Sequence, residues 1–151
     1  MTTPTTYQFS SHRSDAVAAV ASSAEGKGWC NVTPVVEEDI ADLKVNYFGL
    51  WVNKGVAVAS FVSAAPRKGV AQRSSLGLLH SRGRLGVERI SSLLDGAPFV
   101  VKQDHSQRGL LLEVPNEASS QLIVDVMCHF TEELCDYTFS GEWLLAHFVA
   151  R

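Results

Sequence analysis

The chain has 151 residues and a mass of 16.4 kDa, which suits one domain, because two independent cores would leave each half near the lower limit of self-sufficient burial. Hydrophobic residues make up 46% and charged residues 19%, with 11 glycines and five prolines, a composition that excludes disordered, collagen-like and low-complexity classes. No apolar run reaches the ~18 residues needed to span a bilayer, and the polar stretch Met1–Ser10 lacks the basic-then-apolar order of a secretory signal. The expectation is a cytoplasmic protein without a membrane segment, folded as a single domain over residues 1–151, with residues 1–10 poorly ordered.

The net charge of −3 conceals a segregation along the chain. Residues 67–89 hold Arg67, Lys68, Arg73, Arg82, Arg84 and Arg89 against Glu88 alone. Residues 109–150 hold Glu113, Glu117, Asp125, Glu132, Glu133, Asp136 and Glu142 with no Lys or Arg. The pI near 5.9 disfavours wholesale coating of nucleic acid yet leaves room for one basic patch to bind an anion. Nucleic acid ranks third among partners, because aromatic residues do not interleave with the basic cluster as a stacking platform requires.

In chain order, the first predicted element is an alanine-rich helix over Asp15–Glu25, capped by Ser14 and stopped by Gly26, with Val17, Val20, Ala21 and Ala24 at helical spacing. Trp29–Val36 reads as a short strand, and Pro34 suggests a sheet edge. The runs Tyr47–Val52 and Val56–Val62 are rich in strand formers, and Asn53-Lys54-Gly55 between them predicts a hairpin. Residues 64–84 resist assignment, although Leu76, Leu78 and Leu79 point to a short buried piece. A helix is expected over Leu85–Leu94, ending at Gly96 and Pro98. A second hairpin pairs Phe99–Lys102 with Leu110–Val114. A long helix follows, capped by Asn116, running to about Asp136 and burying Leu122, Ile123, Val126, Met127, Phe130 and Leu134. The last segment, Glu142–Ala150, fits a helix better than a strand, although Trp143, Leu145, His147 and Val149 also alternate. The predicted class is α+β: an antiparallel sheet built from two β-hairpins, each followed by a helix, with the alanine-rich helix at the N-terminus.

The chemistry-bearing residues are sparse. Cys30, Cys128 and Cys135 are an odd number without a CxxC pair, so they read as reduced, buried thiols rather than a disulfide framework or a zinc site. His12, His80, His105, His129 and His147 show no metal or paired catalytic spacing, and no cofactor motif is present. The stretch Leu79–Gly86 sets Ser81, Arg82 and Arg84 among glycines at a predicted helix start. Free backbone N–H groups and guanidinium forks there favour phosphate or carboxylate. Arg67, Lys68, Arg73, Ser81, Arg82 and Arg84 are therefore the candidate anion- or partner-binding residues. Glu132, Glu133 and Asp136 at the carbonyl end of the long helix oppose its dipole and call for cations from elsewhere. These features lead to a non-enzymatic binding protein, forming a homo-oligomer, whose basic segment 67–89 recognises an acidic protein surface or an anionic small molecule. The competing reading is a small enzyme acting on an anionic substrate, with His80 as acid or base.

Overall fold

The computed structural model of the chain describes residues 3–25, 28–39, 44–47, 50–53, 56–63, 74–79, 99–105, 109–115 and 117–149. Nine strands and two helices lie among them: β1 (Thr5–Phe9), α1 (Ser14–Ala24), β2 (Trp29–Val36), β3 (Lys44–Tyr47), β4 (Leu50–Asn53), β5 (Val58–Val62), β6 (Ser74–Leu79), β7 (Val100–His105), β8 (Gly109–Val114), α2 (Ser120–Glu133) and β9 (Phe139–Phe148). Seven strands form one sheet in the order β1-β9-β2-β5-β6-β8-β7, and β3 and β4 form a separate pair. Every pairing is antiparallel. Neither described helix is long and apolar enough to cross a membrane.

The architecture expected from two hairpin-then-helix units is thereby overturned. The run Val58–Val62 does not fold back on its predecessor. It pairs with β2 on one side and β6 on the other, while β3 pairs with β4. Strand propensity marks both runs as extended but does not choose their partners, and burial made the choice: Ala57, Ala59 and Phe61 belong to the sheet's core. The piece at 74–79 is a central strand, with Leu76 and Leu78 fully buried. The C-terminal segment is the ten-residue strand β9 rather than a helix. Thr5–Phe9, expected to be poorly ordered, is an edge strand aligned on β9 from Thr5↔His147 to Phe9↔Trp143. The helix expected over 85–94 lies outside the described residues.

Pro34 does not mark an edge strand, because β2 sits between β9 and β5. Pairing with β5 covers only Trp29–Val32, however, so at Pro34 the described ladder runs on the β9 side alone, a position that tolerates a residue without an N–H better than one laddered on both sides. Strands β7 and β8 form a hairpin in which Gly109 is obligatory. Its φ is +81°, and a Cβ there would stand 2.5 Å from the carbonyl oxygen of Leu78 on β6.

Both helices lie on one face of the sheet and against each other. Helix α1 buries Ala16, Ala19, Val20 and Ser23, a stripe one residue away from the expected one; small side chains there let it lie close to both the sheet and α2. Ser14 is inside the helix rather than its cap. Arg13 holds that position without a side-chain cap bond, and the Ser14 hydroxyl meets His12 Nε2 at 2.9 Å. Helix α2 starts later than Asn116 because Ser119 is the cap, its hydroxyl accepting the N–H of Leu122 at 3.1 Å. It buries Ile123, Val124, Val126, Met127, Cys128, Phe130 and Thr131.

Trp143 of β9 ties the layers together. Its ring stacks on Phe9 of β1 at 5.8 Å and tilts against Phe139 at 4.7 Å. Its Nε1–H donates to Thr131 Oγ1 on α2 at 3.1 Å, and the Arg13 guanidinium lies 4.9 Å from the ring centroid. Arg13 also meets Asp125 of α2 at 2.6 Å, and the same carboxylate oxygen accepts from Gln121 at 2.9 Å. At the far end of β2, the Glu38 carboxylate accepts the Thr138 N–H at 2.9 and 3.0 Å and its hydroxyl at 2.5 Å. The Glu37 N–H donates to the Thr138 carbonyl at 3.0 Å.

Phe130 is fully buried, so Phe130→Ala is expected to cost about 3–5 kcal/mol in urea melts; a loss below ~1 kcal/mol would contradict helix-on-sheet packing. Trp143→Phe keeps most of the apolar area but loses the donor to Thr131, and about 1–2 kcal/mol is expected. The Thr138 hydroxyl holds the Glu38 carboxyl below its ordinary value of 4.5. A lowered folded-state pKa gives stability that is fully present above the unfolded carboxylate value and is lost as pH falls through the folded one. Glu38→Gln is expected to flatten that part of the acid limb in urea midpoints taken from about pH 6 to about pH 2; an unchanged slope would mean the clasp does not stabilise the fold.

Candidate functional site

Residues facing each other across an antiparallel ladder share a face, so the registers divide the sheet into two surfaces. The row Thr5, His147, Cys30, Phe61, Leu76 and Leu112 points to the helices, as does Tyr7, Leu145, Val32, Ala59, Leu78 and Leu110. The opposite face carries no described helix. One of its rows crosses all seven strands, from Thr6 through Ala146, Asn31, Ser60 and Gly77 to Leu111 and Gln103. The four middle members are small and uncharged, which makes the centre of this face low.

Taller apolar side chains stand on both sides of that low strip. Trp29 stacks on Phe148 with ring centroids 5.0 Å apart and planes within 6°. Val62 faces Trp29 across the ladder and Val100 faces Glu113, while Leu144 rises on the other side of the strip beside Thr33. Trp29, Val62, Val100, Leu111 and Leu144 are each between 36% and 48% exposed. Towards one end the same face closes over, since Val58 and Leu79, a facing pair, are buried. Glu113 is met by Lys102 at 2.8 Å, and Glu142, at the corner near β1, accepts from Gln8 at 2.8 Å. The carboxamide oxygen of Asn31 is buried in the floor and accepts no hydrogen bond from a described residue. This surface escaped the sequence reading, although its signal was present: in Trp29-Cys30-Asn31-Val32-Thr33 and Trp143–Phe148, alternate positions serve different faces.

The candidate residues Arg67, Lys68, Arg73, His80, Ser81, Arg82 and Arg84 all lie outside the described residues. What is described is β6, which divides the basic segment 67–89 with a buried central strand, so the segment is not one continuous loop. Glu132 and Glu133 are exposed in the last turn of α2, while Asp136 falls beyond its end.

The remaining reactive groups sit in the core. Ser23 Oγ, on α1, is 3.1 Å from Cys30 Sγ, and His147 faces Cys30 across the ladder; all three are buried. No described residue hydrogen-bonds His147 Nε2. Burial pushes the Cys30 thiol up, outweighing its hydrogen bond to Ser23. Burial pushes Cys128 up to about 12, with Arg13 opposing and Asp125 and Glu132 adding to the rise. Cys135 is raised by burial too, with Asp136 and Glu38 contributing. Thiols held protonated in this way are poor nucleophiles. Among the described residues no three His, Cys, Asp or Glu side chains are grouped to hold a metal ion.

A thiol reagent at about pH 8 is expected to modify only the half-buried Cys135 in the native protein, and Cys30 and Cys128 only after unfolding. Fast native-state labelling of Cys30 would show that the helices do not seal it. Comparison with family models, curated proteins and solved structures finds no match to this chain.

Proposed function

We propose that this chain is a non-enzymatic binding protein whose docking surface is the face of the sheet that carries no described helix. The observation that carries this reading is the set Trp29, Val62, Val100, Leu111 and Leu144, large apolar side chains left exposed together on one face. Single exposed hydrophobic residues are ordinary, but several of them sharing one sheet face point to an interaction site. The other polar chemistry fits binding better than catalysis: the buried thiols are held protonated and the buried Ser23, Cys30 and His147 are out of reach of a substrate. The basic segment 67–89 supplies a second recognition element in this reading. Arg67, Lys68, Arg73, Ser81, Arg82 and Arg84 would there meet an acidic protein surface or a phosphate- or carboxylate-bearing ligand.

An environment-sensitive apolar dye tests the surface. At roughly 0.2 µM protein, where weak self-association is negligible, the native chain is expected to bind the dye saturably. Leu111→Lys and Val62→Lys are each expected to weaken that binding several-fold without changing the urea midpoint by more than ~0.5 kcal/mol equivalent. Dye binding that both substitutions leave unchanged, or none to the native protein, would overturn the proposal.

A further inference from the structure

We infer that the partner of the sheet face without a described helix is a second copy of this chain, stacked sheet on sheet about a twofold axis; this rests on the binding surface proposed above. A twofold contact presses a patch against itself, so a patch of one sign would repel its own copy. Here the interior of the face carries a single described ion pair, Lys102–Glu113, that neutralises itself, and Glu142 stands apart at a corner, held by Gln8. Among the described residues, neither sign of charge therefore dominates the interior of this face.

The relief of the face is also self-complementary. A low strip of Ala146, Asn31, Ser60 and Gly77 crosses four adjacent strands, with the taller Trp29 and Val62 on one side and Leu144 on the other. Two such faces turned on each other can set the ridge of one copy into the trough of its partner, at the ~10 Å spacing of packed sheets. The size is adequate for a modest dimer. Seven strands ~4.8 Å apart and about five residues at ~3.3 Å, less the corner closed at Val58 and Leu79, give a footprint of roughly 500 Å² per copy. The pair then covers about 1,000 Å², near the lower limit of specific interfaces, so association in the micromolar range is expected.

Sedimentation equilibrium of the full chain, from about 1 to about 200 µM in ~50 mM and ~500 mM salt, decides the matter. The expected result is a reversible monomer–dimer equilibrium whose dissociation constant moves less than about threefold between the two buffers. Leu111→Lys and Val62→Lys are each expected to raise it by roughly 30-fold or more. Val101→Lys, on an exposed residue of the opposite face, is expected to leave it unchanged. Should either lysine variant fail to fold by circular dichroism, Gly77→Glu takes its place, since an added Cβ there meets nothing closer than 3.9 Å. A monomer at 200 µM would overturn the inference, as would a dimer dispersed by salt, one insensitive to the face substitutions, as pairing through the edge strand β1 would be, or one equally weakened by Val101→Lys. Dye binding by a persistent monomer defeats only the self-association; loss of both defeats the docking surface itself.

Discussion

Strand β9 is the element on which the rest of this fold depends. Formed by residues near the end of the chain, it lies between β1 and β2, which come from the beginning. The first part of the sheet therefore does not exist until the chain has closed on itself, an arrangement rich in long-range pairing and costly in loop entropy. Trp143 provides much of what offsets that cost. One side chain packs on Phe9 and Phe139, satisfies its own donor on Thr131 and lies beneath the Arg13 guanidinium, so it joins β1, β9, α1 and α2 at one point. The Glu38–Thr138 clasp secures the entry to the same strand from the far end of β2.

Once β9 is in place, the two faces of the sheet acquire opposite physical characters. The helix-side rows become a continuous core of Val, Leu, Phe and Ala with Met127 and Phe130 above them. Alanines on α1 matter here because they let the helix approach closely, and they leave Ser23 near enough to engage Cys30. The reverse face receives no described helix. Its apolar side chains are unlike those of an antiparallel sheet that simply faces water, in which polar residues fill the outward positions. Trp29, Leu111 and Leu144 break that rule, and departures from local rules concentrate where a protein does something other than fold. This face is therefore distinguished by its relief and its apolar area rather than by a cluster of reactive groups.

The sheet's two margins differ as well. Strand β7 carries Lys102 and Asp104 with an irregularity between Val101 and Gln103, features that discourage pairing with another chain. Strand β1, Thr-Thr-Tyr-Gln-Phe, carries no charge and no irregularity. Its brevity, and the packing of Tyr7 and Phe9 against the core, limit what it can offer as a template.

Much of the local structure was legible in the residues themselves. Strong periodicity marked α2, because Ile123, Val126, Met127 and Phe130 recur at helical spacing whatever surrounds them. The alanine-rich run marked α1, β-branched and aromatic runs marked β2 and β5, and a short apolar run behind a turn marked β8 as extended. The bounds of β2, Trp29–Val36, and the pairing of β7 with β8 were legible as well; the ends of the helices and the partners of the other strands were not. Ser119 rather than Asn116 caps α2, since either residue type serves and the approach of the preceding strand selects one. The segment at Glu142–Phe148 alternates Trp143, Leu145 and His147 with Leu144, Ala146 and Phe148, so both sets are largely apolar, and such a run reads equally as a buried helix until its neighbours are known. The sequence by itself determined which stretches are apolar, which are extended or helical, and that the thiols are unpaired. Only the tertiary structure decided that β5 joins β2 and β6, that β9 fills the slot beside β1, and that Trp29, Val62, Val100, Leu111 and Leu144 are exposed on one face of the sheet, because pairing and coverage are set by which distant segments bury each other's surface, a quantity no local window contains.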